Sequence, residues 1–349
     1  MPDPSSVLVV APNWLGDAVM ALPALADVRR AHPDARLAVA ARAPVAPLYA
    51  MVPGVDSTVV LQARGSLLKR RTVREDLSLV EAARVELAIL FPNSFAAAWM
   101  VHQAGVANRW GYASDWRRPL LTRAVRRPRR TLHQASYYQH LVRELGMPNG
   151  PLEPIIRVPD PAIEEARTAL IARGWDGARP LLAIAPGAAY GTAKRWLPRH
   201  FGSLLTRAIR DAGMHAVIVG SAADGETAQS VIAATGDGER HRVIDLTGST
   251  TLAALAGVMS LAAACVSNDS GPMHVAGAVG TPLAALFGPT RDHETAPLTR
   301  HAGQARVLVN DVWCRPCMFR ECPIGHRCMK GLVPERVFDT VLALMGRCA

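Results

Sequence analysis

The sequence predicts an α/β protein of two domains, and three observations support this prediction. Its 349 residues exceed one typical domain and suit two of about 150 to 170 residues each. Short apolar runs typical of buried parallel strands alternate with Ala-rich stretches of helical periodicity. Because 50% of the residues are hydrophobic, both domains can build a large core.

The first half of the chain predicts four strands and the helices that connect them. Apolar runs predict strands at 7–11, 37–41, 58–61 and 86–91, and helical patterns lie at 94–104 and 133–145. After the first strand, the turn PNWLGD carries Gly16, which permits a tight bend, and Asp17, near the next helix. Asp often caps a helix, but ligands of α/β sheets gather at the carboxyl ends of strands, so Asp17 is also a candidate site residue. Pro23 predicts a kink or two short helices.

The second half repeats this architecture after a linker. Residues 147–161 contain five prolines, and we expect the domains to divide there, into 1–155 and 156–332, with a last helix within 333–349. Strands are predicted at 181–185, 215–219, 242–245, 261–266 and 282–287. The first four end in small or polar turns. In a parallel sheet such ends lie along one edge, where α/β proteins bind nucleotides.

The stretch from 266 to 290, VSNDSGPMHVAGAVGTPLAALFGPT, is the strongest candidate for a phosphate site. Its NDSG turn is followed by a helix over 272–279, closed by Gly280. Asp269, Ser270 and Gly271 therefore lie where free backbone N–H groups and the helix dipole meet, which attracts phosphate. An ordinary capped βα turn is the alternative. His274, one turn into the helix, and Gly271, which permits close backbone approach, favour the phosphate site.

A second glycine-containing loop, PGAAYGTAKRW at 186–196, follows the strand at 181–185. Small residues followed by Lys194 and Arg195 suit a loop that closes on phosphates, although this is not a Walker A sequence. A basic surface loop is the alternative. The turn after the first strand lacks G-x-G-x-x-G, which argues against a dinucleotide-dependent oxidoreductase.

The net charge of +10 is unevenly distributed. Residues 1–158 hold 20 of the 39 Lys and Arg but only 12 of the 29 Asp and Glu. The excess lies at 64–74 and 109–130, and in the latter segment Trp110, Tyr112 and Trp116 stand among arginines. This half is expected to bind an acidic partner: nucleic acid, anionic lipid, or a phosphorylated or carboxylated substrate. A solvated surface is the alternative.

Four cysteines, Cys314, Cys317, Cys322 and Cys328, lie close together in the sequence. Four thiolates, or three with His326, can hold zinc in a structural site, and disulfides are rare in cytosolic proteins. Zinc is therefore expected, with free thiols or reversible disulfides as alternatives.

We expect a soluble, cytoplasmic protein. The N-terminus lacks the basic region of a signal peptide. The longest uncharged segment, 246–268, is interrupted by polar residues and glycines, so its apolar core is shorter than the ~20 residues of a membrane span.

Three stretches resemble the ADP-heptose:lipopolysaccharide heptosyltransferases. They are APNWLGDAVMALPAL at 11–25, PGAAYGTAKRWLPRHF at 186–201 and NDSGPMHVAGAVGTPLAALFGPT at 268–290. They occur in the order of that family, and the resemblance covers nearly the whole chain. Asn13-Trp14 and Pro92-Asn93-Ser94 favour, by resemblance, the branch named heptosyltransferase II.

The resemblance implies a GT-B fold: two Rossmann-like, doubly wound parallel-sheet domains facing a cleft. Residues 1–155 would bind the acceptor, 156–332 the nucleotide sugar, and the helix in 333–349 would cross back to the first domain. The implied reaction is the inverting transfer of L-glycero-D-manno-heptose from ADP-heptose to the heptose–Kdo–lipid A inner core. The implied enzyme is a monomer, peripheral at the cytoplasmic face of the inner membrane, and its anionic acceptor agrees with the basic first half.

The resemblance also implies roles for individual residues. Asp17 matches the base, Lys194 the lysine that neutralises the diphosphate, and Asp269 the carboxylate that holds the heptose. The remaining donor-side residues are Arg195, Ser270, Gly271 and His274, with Ser249 and Thr250 expected by adenine and Glu226 or Asp224 by ribose. The expected acceptor-side residues are Asn13, Trp14, Asn93, Ser94 and Arg64. No catalytic metal is implied, in agreement with the absence of a D-x-D motif from the sequence; the cysteines occur in only part of the family.

The sequence leaves two alternative functions open. One is another heptosyltransferase of the family, I or III. The other is a zinc-stabilised nucleic-acid-binding protein, supported by the charge, the Arg/Trp segment and the cysteines; its binding would fall steeply with salt and ignore ADP.

Overall fold

The computed structural model describes residues 3–62 and 70–346. The chain divides into two compact units between Arg157 and Val158. This division falls inside the proline-rich stretch that was expected to link the domains.

The N-terminal unit is a six-stranded sheet with its connecting helices. In chain order its elements are β1 (Ser6–Val10), α1 (Leu15–Met20), α2 (Leu22–Ala31), β2 (Arg36–Arg42), β3 (Ser57–Leu61), α3 (Arg70–Ala82), β4 (Leu87–Leu90), α4 (Phe95–Gln103), β5 (Asn108–Tyr112), β6 (Arg123–Val125) and α5 (Gln134–Glu144). The strands are parallel and lie in the order β3-β2-β1-β4-β5-β6. The chain thus runs outward from β1 to β3 and returns to β4 on the other side of β1, which is the doubly wound arrangement.

The C-terminal unit has the same strand arrangement. Its elements are α6 (Asp160–Ile171), β7 (Leu181–Ala185), α7 (Pro198–Arg210), β8 (His215–Ile218), α8 (Gly225–Ala234), β9 (Val243–Asp245), α9 (Leu252–Leu261), β10 (Ala264–Asn268), α10 (Gly271–Val279), β11 (Leu283–Phe287), α11 (Asp292–Thr295), β12 (Ala305–Val309), α12 (Arg327–Lys330) and α13 (Pro334–Leu344). Its parallel strands lie in the order β12-β11-β10-β7-β8-β9. Here the order reverses between β7 and β10.

The central strands are buried because their side chains are apolar on both faces. Every residue of β1, β7, β10 and β11 is buried, as expected for a parallel sheet covered on both sides. In the C-terminal unit, Trp196 and Phe201 lie in the core beside Val337 and Phe338 of α13. The apolar face of the last helix is therefore buried in the C-terminal core, and its expected return toward the N-terminal domain stays a prediction.

Several predicted element boundaries differ from the structure. The interruption at Pro23 is confirmed, since α1 and α2 are separate helices that meet at Ala21. The strand predicted at 261–266 begins too early, because α9 extends to Leu261 and β10 begins at Ala264. Five of the described helices and three of the strands were not predicted at specific positions: α3, α6, α7, α11 and α12, and β5, β6 and β12.

None of the described helices has the length and apolar character that a membrane span requires.

Candidate active site

The carboxyl ends of β7, β10 and β11 bring three sequence motifs together in the C-terminal unit. The loop 186–196 follows β7, the NDSG turn follows β10, and residues 288–291 follow β11. Strand β10 lies between β7 and β11. Because the strand order reverses between β7 and β10, this edge is where doubly wound folds bind ligands.

A three-residue cluster lies at this edge. The Lys194 ammonium lies 2.6 Å from Oδ2 of Asp269, and the Thr290 hydroxyl donates to the same oxygen at 2.7 Å. The side chains of Lys194 and Asp269 are only 13% and 6% exposed, so the ion pair is largely withdrawn from water. The structure thus brings together two residues that the resemblance assigned to donor binding, and it adds Thr290.

Asn268 fixes the path of the loop that carries Lys194. Its side-chain oxygen accepts from the backbone N–H of Trp196 at 3.0 Å, and its amide donates to the carbonyl of Pro186 at 2.7 Å. Asn268 is fully buried. It therefore ties both ends of the loop to the end of β10.

The N-terminus of α10 begins directly after Asp269. Ser270 occupies the N-cap position without a side-chain capping bond, and Gly271 is the first helical residue. The first-turn N–H groups of a helix have no intrahelical acceptor, and the helix dipole places partial positive charge there. His274 is buried within this helix. The geometry suits the binding of a phosphate group beside Lys194.

The neighbouring strand ends carry the weaker donor-side candidates. Arg195 contacts the hydroxyl of Thr227 at 3.3 Å and lies 4.0 Å from a carboxylate oxygen of Asp224. Asp224 accepts from the N–H and the hydroxyl of Ser221 in a capping box. Glu226 is exposed in the first turn of α8. The structure thus gives Asp224 a fixed position and leaves Glu226 at the surface; the ribose role of either residue stays a prediction.

The turn after β9 reaches the same group of loops. The backbone N–H of Gly248 donates to the carbonyl of Gly220 at 2.9 Å, which joins this turn to the loop after β8. Ser249 is exposed, and Thr250 is half-buried. Their predicted place beside adenine remains a prediction.

In the N-terminal unit, Asp17 lies in the first turn of α1, just after β1. The helix is capped by the backbone of Trp14, so Asp17 is not the N-cap residue. The pKa of the Tyr138 phenol is raised, mainly because the phenol is buried. The half-buried carboxylate of Asp17 lies close enough to raise that pKa further. The acidic side chain is therefore held at the edge where the strand order reverses in this unit.

The predicted acceptor-side residues lie at the carboxyl edge of the N-terminal sheet. Asn13 and Ser94 line one cavity together with Arg42 and Asp76, whereas Trp14 is 64% exposed. The Ser94 hydroxyl accepts from the N–H of Ala97 and so caps α4. The Asn93 amide donates to the Tyr137 hydroxyl at 2.9 Å. Arg64 lies outside the described residues.

The turn that carries Asn93 and Ser94 is held by Arg117, which was not predicted. Its guanidinium is fully buried and donates to the carbonyls of Tyr112, Pro92 and Ser94. Burial lowers the pKa of Arg117 to about 10, so the side chain remains charged at neutral pH. Nothing in the sequence distinguishes this arginine from its exposed neighbours.

The expected structural zinc is not supported. The four clustered cysteines line one cavity with Phe319, Pro323 and Ile324, and their thiols are free. Over residues 3–62 and 70–346, no group of three or more His, Cys, Asp or Glu side chains is arranged to hold a metal ion. The thiols line an apolar wall, and burial raises the pKa of the Cys328 thiol.

This chain is similar to proteins of one glycosyltransferase family. The model of glycosyltransferase family 9 (heptosyltransferase) matches residues 77–327. Lipopolysaccharide heptosyltransferase 2 of Escherichia coli K12 is 28% identical over 97% of this chain and 98% of its own length. Lipooligosaccharide heptosyltransferase 2 of Haemophilus ducreyi is 30% identical over 97% of this chain and 99% of its own length.

A solved structure confirms the predicted GT-B fold class. The structure of E. coli ADP-heptose lps heptosyltransferase II has a TM-score of 0.83 and 27% identity, covering 97% of this chain and 98% of that one. The predicted resemblance is confirmed as well. The family model spans most of the described sequence, and the chain belongs to glycosyltransferase family 9, the heptosyltransferases.

Proposed function

We propose that this protein is a heptosyltransferase II that acts as a monomer. It transfers L-glycero-D-manno-heptose from ADP-heptose to the heptose of the heptose–Kdo–lipid A inner core. The observation that carries the proposal is the cluster of Lys194, Asp269 and Thr290 at the start of α10. It occurs in a chain that is 28% identical, over 97% of its length, to an enzyme named lipopolysaccharide heptosyltransferase 2.

The donor side of the reaction follows from charge. ADP leaves with additional negative charge on its diphosphate, and groups aimed at that charge lower the barrier. Lys194 and the first N–H groups of α10 are such groups, since they lie together at one strand edge. Asp269 orients Lys194 and is available to hydroxyl groups of the sugar. No metal ion is needed in this scheme, and we expect turnover to persist in excess EDTA.

The acceptor side requires a base that takes the proton of the attacking hydroxyl as the new glycosidic bond forms. We assign this role to Asp17, which lies in the family's opening motif at the carboxyl end of β1. The cavity lined by Asn13, Arg42 and Ser94 lies at the same edge of the sheet and would receive acceptor sugar. The excess of Lys and Arg in residues 1–158 favours an acceptor that carries carboxylates and phosphates.

The assignment of Asp17 is tested by separating turnover from nucleotide binding. Asp17→Asn is expected to lower transfer by at least about a hundredfold, the usual contribution of a general base, while ADP affinity stays within twofold. Asp34→Asn, at an exposed position before β2, is the matched control and should retain full activity. Near wild-type turnover by Asp17→Asn would show that Asp17 is not the base and only places a negative charge in the first turn of α1.

We also propose that the basic edge of the N-terminal unit contacts anionic membrane lipid. Trp116 is 94% exposed, and it sits in a turn where Asp115 and Trp116 both have left-handed backbone conformation. This turn is fixed by Arg117 and by the bond from the N–H of Phe95 to the Asp115 carboxylate at 2.8 Å. A rigidly presented tryptophan beside exposed arginines suits the lipid headgroup region.

Vesicle flotation tests this contact. The protein should float with vesicles that contain anionic phospholipid and remain unbound with zwitterionic vesicles. Trp116→Ala should weaken flotation, whereas Trp313→Ala, which removes an exposed tryptophan of the other unit, should not. Equal flotation of all three proteins would refute the assigned surface.

The relatives give no support to the nucleic-acid-binding alternative, and the zinc ion on which that alternative depended is not supported.

A further inference from the structure

The cysteine-rich segment, residues 311–330, is attached to the loop that carries Lys194. The backbone N–H of Ala193 donates to the carbonyl of Arg320 at 2.9 Å. The hydroxyl of Tyr190 donates to the carbonyl of Met318 at 2.8 Å. These two bonds place Arg320 directly beside the loop.

A glycine makes this close approach possible. A Cβ atom at Gly191 would lie 2.3 Å from the carbonyl oxygen of Arg320, which is closer than real contacts allow. The loop and the segment therefore meet backbone to backbone at this point. The position of Arg320 relative to Lys194 is accordingly set by the main chain and not by flexible side chains alone.

The positively charged groups of Lys194 and Arg320 contact one aromatic ring. The Lys194 ammonium lies 4.8 Å from the ring centroid of Tyr190, and the Arg320 guanidinium lies 5.4 Å from the same centroid. Both distances are within the range of a cation–π interaction. Two cations at one ring repel each other, so an anion that contacts both is favoured.

Charge pairing distinguishes Arg320 from Lys194 and Arg315. Lys194 is paired with Asp269, and Arg315 lies 2.5 Å from Asp292. Among residues 3–62 and 70–346, Arg320 has no carboxylate within ion-pair distance, and it is exposed. Its positive charge is thus available to a ligand, whereas that of Lys194 is shared with Asp269.

We propose that Arg320 is a further donor-binding residue, which supplies a second cation to the diphosphate of the nucleotide sugar. This inference rests on the proposed function and adds a residue that the sequence motifs do not contain. The ligand class is a nucleoside diphosphate ester. Its two phosphates carry more negative charge than the Lys194 ammonium, which is already paired with Asp269, can balance. The planar guanidinium can donate two parallel hydrogen bonds to phosphate oxygens, which fits the leaving group of the transfer.

The test compares ADP with AMP, which lacks the terminal phosphate. Isothermal titration of Arg320→Ala should show ADP affinity reduced about tenfold and AMP affinity unchanged, since a charge-assisted bond to the second phosphate is lost. Arg320→Lys should recover part of the ADP affinity. Arg327→Ala, an exposed arginine of the same segment, is the control for net charge and should bind ADP as the wild type does.

The outcomes separate this inference from the proposed function. If wild-type protein binds ADP and transfers heptose while Arg320→Ala binds ADP equally well, the assignment of Arg320 is refuted alone. An equal loss of ADP and AMP affinity in Arg320→Ala also refutes it, because the effect would not depend on the second phosphate. If the wild-type protein binds no ADP, the proposed function fails, and this inference fails with it.

Discussion

At the scale of single residues, the candidate site depends on one carboxylate oxygen. Oδ2 of Asp269 accepts from both Lys194 and Thr290, in surroundings that expose only 6% of the Asp269 side chain. A buried carboxylate with two donors is held in one orientation, because either donor alone would let it rotate. The ammonium of Lys194 is oriented in turn.

Thr290→Val tests this orientation with little change of shape. The variant removes one donor to Asp269, and we expect kcat/KM to fall about tenfold, the equivalent of one hydrogen bond to a charged group. Thr281→Val is a matched control, since the buried Thr281 hydroxyl donates to the carbonyl of Met259 away from the cluster. Both variants should lose similar stability in thermal unfolding, but only Thr290→Val should lose activity. Equal kinetics of the two variants would exclude an orienting role.

The sequence predicted part of this cluster for a physical reason. Lys194 and Asp269 stand in motifs that follow buried strands, and parallel strands place such motifs at one edge. Thr290 was missed although it ends the quoted stretch 268–290, and Arg117 was missed as well, because the sequence does not show which groups these two side chains contact in the fold. Asn268 was present in the quoted motif, and a polar side chain at the end of an otherwise apolar strand is the signal that could have identified it.

At the scale of elements, the site is formed by two loops that one side chain joins. Asn268, at the end of β10, bonds to the backbone at Pro186 and Trp196, the two ends of the loop after β7. Strands β7 and β10 are already paired, with Ala264 opposite Leu182 and Ser267 opposite Ala185. The side-chain bonds extend this pairing beyond the strands and fix the position of Lys194.

Asn268→Ala should affect both stability and ligand binding. The substitution leaves the buried N–H of Trp196 and the carbonyl of Pro186 without this partner, which costs about 1–3 kcal/mol for each unpaired group. We expect a lower free energy of unfolding in urea and weaker ADP binding. Asn310→Ala, which removes a side-chain bond to the carbonyl of Arg327 outside this loop, should leave ADP binding unchanged. Unaltered ADP affinity in Asn268→Ala would show that the loop holds its position unaided.

Elements with uniform apolar character were predicted well, and mixed elements were not. The strand predicted at 181–185 is observed as β7 with the same bounds. Strands β5 and β6 were missed because arginines and partial exposure hide their pattern. The end of α9 was misplaced because its apolar residues continue into β10, and periodicity cannot separate two buried elements of the same composition.

At the scale of the whole molecule, two units with one strand order account for the fold. The repeated order follows from the alternation of strands and helices in each half, which the sequence shows directly. How the chemistry is divided between the units was implied only by the family resemblance. Composition alone would have fitted other α/β proteins with a basic half.

Four buried or half-buried histidines give the whole molecule a predicted pH dependence. Burial lowers the pKa of His32, His140, His200 and His215 below the ordinary 6.5. Near pH 6.5 the unfolded chain therefore binds protons that the folded protein does not. The contribution of these neutral histidines to the free energy of unfolding is present above pH 6.5, and it is lost as the pH falls through their folded-state pKa values. The melting temperature should fall as the pH is lowered from 7.5 toward 5.5.

One variant checks the source of this pH dependence. His215→Gln should flatten the decline, because it removes a buried titrating group that is 4% exposed. His301→Gln, at an exposed position, should leave the decline unchanged. A melting temperature that rises on acidification would contradict the assignment.

The most direct test of the proposed function is transfer itself. Purified protein is incubated with ADP-heptose and a series of truncated inner cores, and the masses of the products are measured by mass spectrometry. We expect the core ending in one heptose on Kdo–lipid A to gain one heptose as ADP is released. The core without heptose should gain none. Product on the heptose-free core, or release of ADP without any glycosylated core, would contradict the proposed function.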